Sequence, residues 1–170
     1  MTDRRYPVGE FAPRPRPTAE ERAPLIDEIE GLPAAVRAAV DRVGEERLDT
    51  PYRDGGWTAR QVVHHLADSH INSWCRFKLT VTEDAPTIRT YDEAAWGELE
   101  DARSGPVELS LALLDALHAR WGLFLRSLDD ATFDRKLNHP EHGLMRLHVL
   151  LQMYAWHGTH HVAHVNLVGA

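Results

Sequence analysis

The sequence contains a single cysteine, Cys75, among its 170 residues. One cysteine excludes an internal disulfide framework and any cysteine-rich zinc site. No apolar run approaches the ~20 residues of a membrane span, and the N-terminal MTDRRYPVGEF has no apolar stretch of the secretory type. We therefore expect a cytoplasmic protein that makes no membrane contact.

The sequence also has few positively charged residues. It contains 19 Lys and Arg against 26 Asp and Glu, which gives a formal net charge of -7. Such a chain has no electrostatic reason to bind nucleic acid or an acidic membrane surface. Its hydrophobic fraction of 43% and charged fraction of 26% are typical of a globular protein. The length suits one domain with a sizeable core, so residues 1–170 are predicted to form a single domain.

Four long amphipathic segments carry most of the apolar residues. Capping-box patterns at Thr18–Glu21 and Thr58–Gln61 predict two helix starts, with a kink or break of the first helix at Pro33. A third helix should follow Pro106, and the last should run from about Leu147 to Val168. Shorter features are a helix near 92–99 and a hairpin or turn within 136–143, in an otherwise irregular segment from 129 to 146.

The pattern predicts an all-α fold, an antiparallel-type four-helix bundle. Residues 1–17 hold four prolines and no helical period, which indicates an extended arm lying over the domain or over a neighbouring subunit. The long connection from 79 to 105 leaves open whether the second and third helices are parallel or antiparallel.

The last helix contains four histidines, His157, His160, His161 and His164. At about 100° per residue they share one arc of roughly 100° with apolar residues such as Tyr154, so they should face the core. His148 and Gln152 fall on the opposite side. A bare buried imidazole costs about 1–3 kcal/mol, so these rings need hydrogen-bond partners or a metal.

Both i, i+4 pairs of this helix, His157/His161 and His160/His164, have the spacing that grips one metal ion from a single face. A catalytic zinc site has three protein ligands and one open position, so a third histidine is expected from a facing helix. His64 and His65 on the second helix are the candidates. His118, His139, His142 and His148 are expected at the surface. Because Gly158 follows His157, the His-Glu-x-x-His pattern of zinc proteases is absent.

On the helical wheel His65 shares its face with Asn72 and Arg76, and Asp68 lies nearby. If that face points into the bundle, its polar side chains would line a substrate pocket. Asn72 and Arg76 could then hold the anionic end of a substrate.

Several stretches in chain order resemble one family. They are Tyr6-Pro-Val-Gly-Glu-Phe11, Gly55-Gly-Trp-Thr-Ala-Arg-Gln-Val-Val-His-His-Leu-Ala-Asp-Ser-His70, Arg76-Phe-Lys-Leu79, Pro86-Thr-Ile88, Tyr91-Asp92, His139-Pro-Glu141 and Tyr154-Ala-Trp-His-Gly-Thr-His-His161. Together they resemble the YfiT-like proteins of the DinB superfamily, a group that includes bacillithiol S-transferases. The resemblance covers nearly the whole chain.

The resemblance implies a four-helix bundle, often a homodimer, that holds one divalent metal ion per chain with three histidines. Zinc is the first expectation and nickel the second. The family's ligand positions fall on His65, His157 and His161. Asp68, His160 and His164 then become neighbours that contact the ligands without binding the ion, although the His160/His164 register has the same spacing.

Three functions follow from such a site. The first is transfer of a low-molecular-weight thiol to an electrophile, because a metal holds the thiol as its nucleophilic thiolate. The second is hydrolysis of a small molecule, because the same ion lowers the pKa of bound water to ~7. The absence of an evident glutamate base beside the ligands favours the transferase. The third is a non-catalytic metal-binding stress protein in which the ion staples the bundle.

Overall fold

The computed structural model describes residues 3–169, so the first two residues of the predicted arm and Ala170 of the predicted domain lie outside the described residues. Both predicted capping boxes are present, at Thr18 and at Thr58. The elements are α1 (Ala19–Val43), a 3-10 turn (Glu45–Arg47), α2 (Ala59–Thr82), α3 (Glu93–Gly97), α4 (Glu100–Ser104), α5 (Val107–Arg126), α6 (Asp130–Phe133), β1 (Lys136–His139), β2 (Gly143–Arg146) and α7 (Leu147–Gly169).

The four long helices α1, α2, α5 and α7 form the predicted bundle. α1 and α2 each pack against both α5 and α7, so α1 and α2 lie on a diagonal. Trp121, Phe77, Leu66 and Leu114 are fully buried in its core. None of the helices within residues 3–169 combines the length and apolarity needed to cross a membrane.

Helices α2 and α5 are parallel, which answers the question that the sequence left open. His64 of α2 contacts Ser110 of α5, and further along both helices Phe77 contacts Trp121. The connection between them causes this, because it holds α3 and α4 and is long enough to return the chain to the end where α2 began. Within the four-helix bundle, this pair is therefore the parallel one of the two alternatives.

Helix α7 runs parallel to α1 and antiparallel to α2. The backbone of Gly158 lies against Leu32 of α1. Closer to the C-terminal ends of both helices, Asn166 of α7 accepts a hydrogen bond from Arg42 of α1. On its other side, α7 contacts α2 through Tyr154 with Ser69 and through His161 with His65. The residue numbers rise along α7 as they fall along α2, so these two helices are antiparallel. The bundle thus has two helices in each direction.

Of the kink or break predicted at Pro33, the break does not occur, because α1 continues through Pro33 to Val43. Proline has no backbone N–H, so the Ile29 carbonyl loses its usual partner four residues on. The Nδ1 atom of His118 on α5 takes that place and donates to the Ile29 carbonyl. A side chain from a neighbouring helix therefore satisfies the group that Pro33 leaves free.

The N-terminal arm lies over its own domain, along the outer side of α7 and antiparallel to it. The Arg5 carbonyl is bonded to His164, the Gly9 carbonyl accepts from Trp156, and Arg14 pairs with Gln152. The arm covers this side of α7, where Gln152 bonds to the backbone of Arg14. His148 and Gln152 were placed on the exposed side of α7, yet both are buried.

His118 is also not a surface residue, because it is fully buried between α5, α2 and α1. The hairpin histidines His139 and His142 lie at the protein surface as expected, the first of them half-buried. β1 and β2 form the predicted hairpin, and they pair antiparallel from Lys136 with Arg146 to His139 with Gly143.

Gln152 should hold the arm in place. Its side chain accepts from the Arg14 amide at 2.8 Å and donates to the Arg14 carbonyl at 3.3 Å. Gln152→Leu removes both bonds, so we expect about 1–2 kcal/mol of lost protection at the Arg14 amide in hydrogen exchange. Thr159→Ala, at an exposed position of the same helix, is the control. Unchanged exchange in Gln152→Leu would contradict this role.

Candidate metal centre

Three histidines from two antiparallel helices converge in the bundle. His65 projects from α2, while His157 and His161 project from successive turns of α7, as their spacing of four residues requires. Their ligand nitrogens all lie within 4.8 Å of one another. The structure therefore brings together the three residues that the resemblance implied.

The donor set fits a divalent metal ion. Two nitrogens bound tetrahedrally to zinc at the usual bond length lie about 3.3 Å apart. The Nε2 atoms of His65 and His157 are 3.3 Å apart. Imidazole suits zinc, nickel, copper and iron alike, so the donors favour a metal without selecting one.

Burial keeps these rings neutral at pH 7. Burial, with a smaller effect of the nearby imidazoles of His160 and His164, lowers the pKa of His65 to about 4. Burial likewise holds the pKa values of His157 and His161 well below the usual range, and the charge of neighbouring histidines adds to this. A neutral imidazole has the free lone pair that a metal needs.

The alternative ligand pair of α7, His160 and His164, has different surroundings. His160, His161 and His164 also form a group of close ligand atoms. However, the His160 ring stacks on Trp156 at 4.4 Å, and His164 Nε2 lies 3.2 Å from the Arg5 carbonyl of the arm. His164 thus contacts the arm, and the His160 ring lies 5.0 Å from that of the candidate ligand His161, between centroids. Ligation by His157 and His161 stays a prediction.

The remaining histidine of the predicted pair, His64, faces away from the group. Its Nδ1 contacts the Ser110 hydroxyl at 2.7 Å and its Nε2 donates to the Gly105 carbonyl at 3.0 Å. Asp68 is half-buried, and burial with the charge of Asp101 raises its pKa to about 6. Within residues 3–169 its carboxylate makes no hydrogen bond to the three histidines, and its place beside the ligands stays a prediction.

A cleft of about 130 Å³ leads from the surface to His157. Arg76 lines it, together with Tyr91, Glu93 and Tyr154. Asn72 instead lines a neighbouring cleft, and its amide donates to the Asp68 carbonyl. Of the two predicted substrate-binding residues, only Arg76 shares the cleft with a candidate ligand.

Two buried histidines beside the candidate metal centre, His70 and His118, were not among the site residues predicted from the sequence. His70 contacts His157, and His118 contacts His70. A usable signal existed for His118, because Leu114, Trp121 and Leu125 at positions -4, +3 and +7 place it in the core stripe of α5.

The metal-free protein should lose stability in mild acid. The folded-state pKa of His65 is about 4, below the unfolded value of 6.5, so the unfolded state binds more protons as the pH falls. This stability contribution is present above pH 6.5 and is lost as the pH falls towards 4. Urea unfolding at pH 7, 6 and 5 should show a falling free energy, with a shallower fall in His65→Gln. A flat profile, or an equal slope in the variant, would contradict the assignment.

Comparison with known proteins places this centre in a family. A family profile for the DinB superfamily matches residues 28–165. YfiT of Bacillus subtilis strain 168 is 50% identical over 161 residues, covering 94% of this chain and 90% of its own. A protein of Bacillus cereus strain B4264 is 50% identical over 166 residues, covering 97% of this chain and 95% of its own. Both are named "Putative metal-dependent hydrolase".

A solved structure agrees with the fold. The structure of YfiT from Bacillus subtilis superposes with a TM-score of 0.94 at 48% identity, covering 97% of this chain and 95% of that one. It is described as "a probable metal-dependent hydrolase with an unusual four-helix bundle topology". By profile, sequence identity and structure, this chain belongs to the YfiT-like proteins of the DinB superfamily.

Proposed function

We propose that the chain is a metal-dependent enzyme that holds one divalent ion with His65, His157 and His161, zinc first and nickel second. One observation supports this most strongly: three neutral, buried imidazoles converge, and one of them, that of His157, lines a cleft. An ion bound there supplies a Lewis acid that lowers the pKa of a bound thiol or water.

The number of candidate ligands favours an enzyme over a structural protein that the metal ion holds together. Closed structural zinc sites have four protein ligands. In the described part of the chain, the group that contains His65 and His157 has three members. A fourth position is therefore left for water or a substrate.

Transfer of a small thiol to an electrophile is the first candidate reaction. Three neutral ligands leave the charge of a divalent ion uncompensated, which favours an anionic sulfur at the fourth position. Arg76 lies in the same cleft and can bind the anionic end of the thiol. The sulfur bonds to carbon as a carbon–halide or epoxide carbon–oxygen bond breaks, and the thiol proton leaves to solvent.

Hydrolysis is the second candidate, and Glu93 favours it. This residue is the first of α3, in the connection between α2 and α5. It is far in sequence from every candidate ligand, yet it lines the cleft that reaches His157. A carboxylate so placed can accept a proton from water. The relatives' names point the same way.

Glu93→Gln separates the two reactions. If thiol transfer is the activity, metal-loaded protein should conjugate small thiols to monochlorobimane, and Glu93→Gln should retain that rate within about twofold. If hydrolysis is the activity, esters, amides or lactones should be cleaved without added thiol, and Glu93→Gln should lose about 100-fold, as removal of a general base does. Treatment with a chelator should abolish either activity. Activity that survives complete metal removal would contradict the proposal.

The homodimer implied by the resemblance stays a prediction. Leu109, Leu113 and Leu123 are exposed on one side of α5. A second copy of the chain that covered them would bury apolar surface that is otherwise in water.

A further inference from the structure

Two buried histidines outside the candidate metal group, His70 on α2 and His118 on α5, form a chain with His157. His70 Nε2 lies 3.1 Å from His157 Nδ1, and His70 Nδ1 lies 3.1 Å from His118 Nε2. Both residues are 0% exposed. Three imidazoles from three helices are thus joined through the interior of the bundle.

A backbone carbonyl ends this chain. His118 Nδ1 bonds to the Ile29 carbonyl of α1. Within α1 that carbonyl would normally accept from residue 33, but Pro33 has no N–H to donate. The carbonyl is therefore free for His118, and it can only accept a hydrogen bond.

The carbonyl fixes the direction of every hydrogen bond in the chain. His118 must donate from Nδ1, so its Nε2 accepts from His70 Nδ1, because a neutral imidazole carries one N–H. His70 Nε2 then accepts from His157 Nδ1. Burial lowers the pKa of His118 to about 4 and that of His70 well below the usual range, so both rings are neutral at pH 7.

The result is a lone pair on His157 Nε2, the atom that faces His65 at 3.3 Å. His161 has a similar arrangement on the other side. Its Nδ1 is 3.3 Å from His164 Nδ1, and His164 Nε2 is 3.2 Å from the Arg5 carbonyl. By the same logic His164 donates to the carbonyl, His161 donates to His164, and His161 Nε2 keeps its lone pair.

We propose that His70 and His118 are positioning residues that hold His157 in the Nδ1–H tautomer and aim its Nε2 at the metal, with the Ile29 carbonyl as the anchor. This proposal rests on the proposed function to the extent that His157 is a ligand. Groups that orient a ligand histidine typically change metal affinity by 10- to 100-fold.

The test compares His118→Leu with His64→Leu. Each variant removes one buried imidazole that bridges α2 and α5, but only His118 belongs to the chain. His118→Gln is the conservative variant, since its amide can donate to the Ile29 carbonyl and accept from His70. Zinc affinity is measured by competition with a fluorescent chelator, and the folded content of each variant by circular dichroism.

We expect zinc affinity to fall about 10- to 100-fold in His118→Leu, with one ion still bound per chain. His64→Leu and His118→Gln should stay within about threefold of the unaltered protein. Equal affinity in His118→Leu and His64→Leu would overturn the proposal. Equal losses in His118→Gln and His118→Leu would also overturn it, because they would assign the effect to packing.

A second measurement needs neither a variant nor a metal. In the metal-free protein labelled with ¹⁵N-histidine, NMR should show protonated Nδ1 and unprotonated Nε2 for His157, His70 and His118. The opposite tautomer at His70 or His157 would overturn the proposal even if His118→Leu did not fold. Failure to bind any metal would instead refute the proposed function and leave this readout intact.

Discussion

Replacing His161 with alanine should lower zinc affinity roughly 100- to 1000-fold, and His65→Ala and His157→Ala should do the same. Structural zinc sites with four ligands bind with about 10–16 kcal/mol, so one ligand accounts for about 2.5–4 kcal/mol. The three nitrogens lie within 4.8 Å of one another, so each loss should be comparable. Elemental analysis after dialysis, followed by chelator competition, measures the effect.

His160→Ala is the matched control, since it removes a histidine of the same helix that stacks on Trp156. It should keep one ion per chain with affinity within a few-fold of the unaltered protein. The reverse pattern, with metal lost in His160→Ala and kept in His157→Ala, would establish the alternative register and contradict the proposed ligands.

Trp121→Ala should be among the most destabilising single substitutions in the bundle. Trp121 is 0% exposed and packs edge-on against Phe77, with ring centroids 5.4 Å apart. It also contacts Tyr154 and both positioning histidines. Truncating a buried tryptophan leaves a large cavity and costs about 3–5 kcal/mol, which is roughly 6–20 °C in melting temperature for a chain of this size.

Trp96→Ala is the comparison, because Trp96 is 39% exposed and lies outside the hydrophobic core of the bundle. Its loss should stay below about 1 kcal/mol. Urea unfolding of both variants gives the difference. Similar losses in the two would mean that Trp121 does not anchor the packing between α2, α5 and α7.

Local patterns in the sequence were sufficient to predict the four long helices of this bundle. Thr18 and Thr58 begin their helices with the predicted capping boxes, since capping depends on residues three positions apart. The direction of α5 relative to α2 could not be predicted from the sequence, because it depends on how the connection that contains α3 and α4 folds. The sequence could not decide between a kink and a break at Pro33 for a similar reason, since the group that satisfies the Ile29 carbonyl comes from α5, 89 residues away.

The candidate site was predictable only in part. The i, i+4 spacing identified the pairs on α7, and the resemblance selected His65 and one register. Spacing alone could not separate His64 from His65, because neighbouring helix positions differ only in which partner helix they meet. The arm's cover over Gln152 and the approach of Glu93 to the cleft both depend on contacts distant in sequence.

A crystal of the zinc-loaded protein, measured on both sides of the zinc absorption edge, tests the proposed centre most directly. We predict one anomalous peak per chain, within bonding distance of Nε2 of His65 and His157 and of His161, with His70 and His118 outside that distance. A peak on His160 and His164, a peak only at the hairpin group of His139, Glu141 and His142, or no peak at all would contradict the proposed centre.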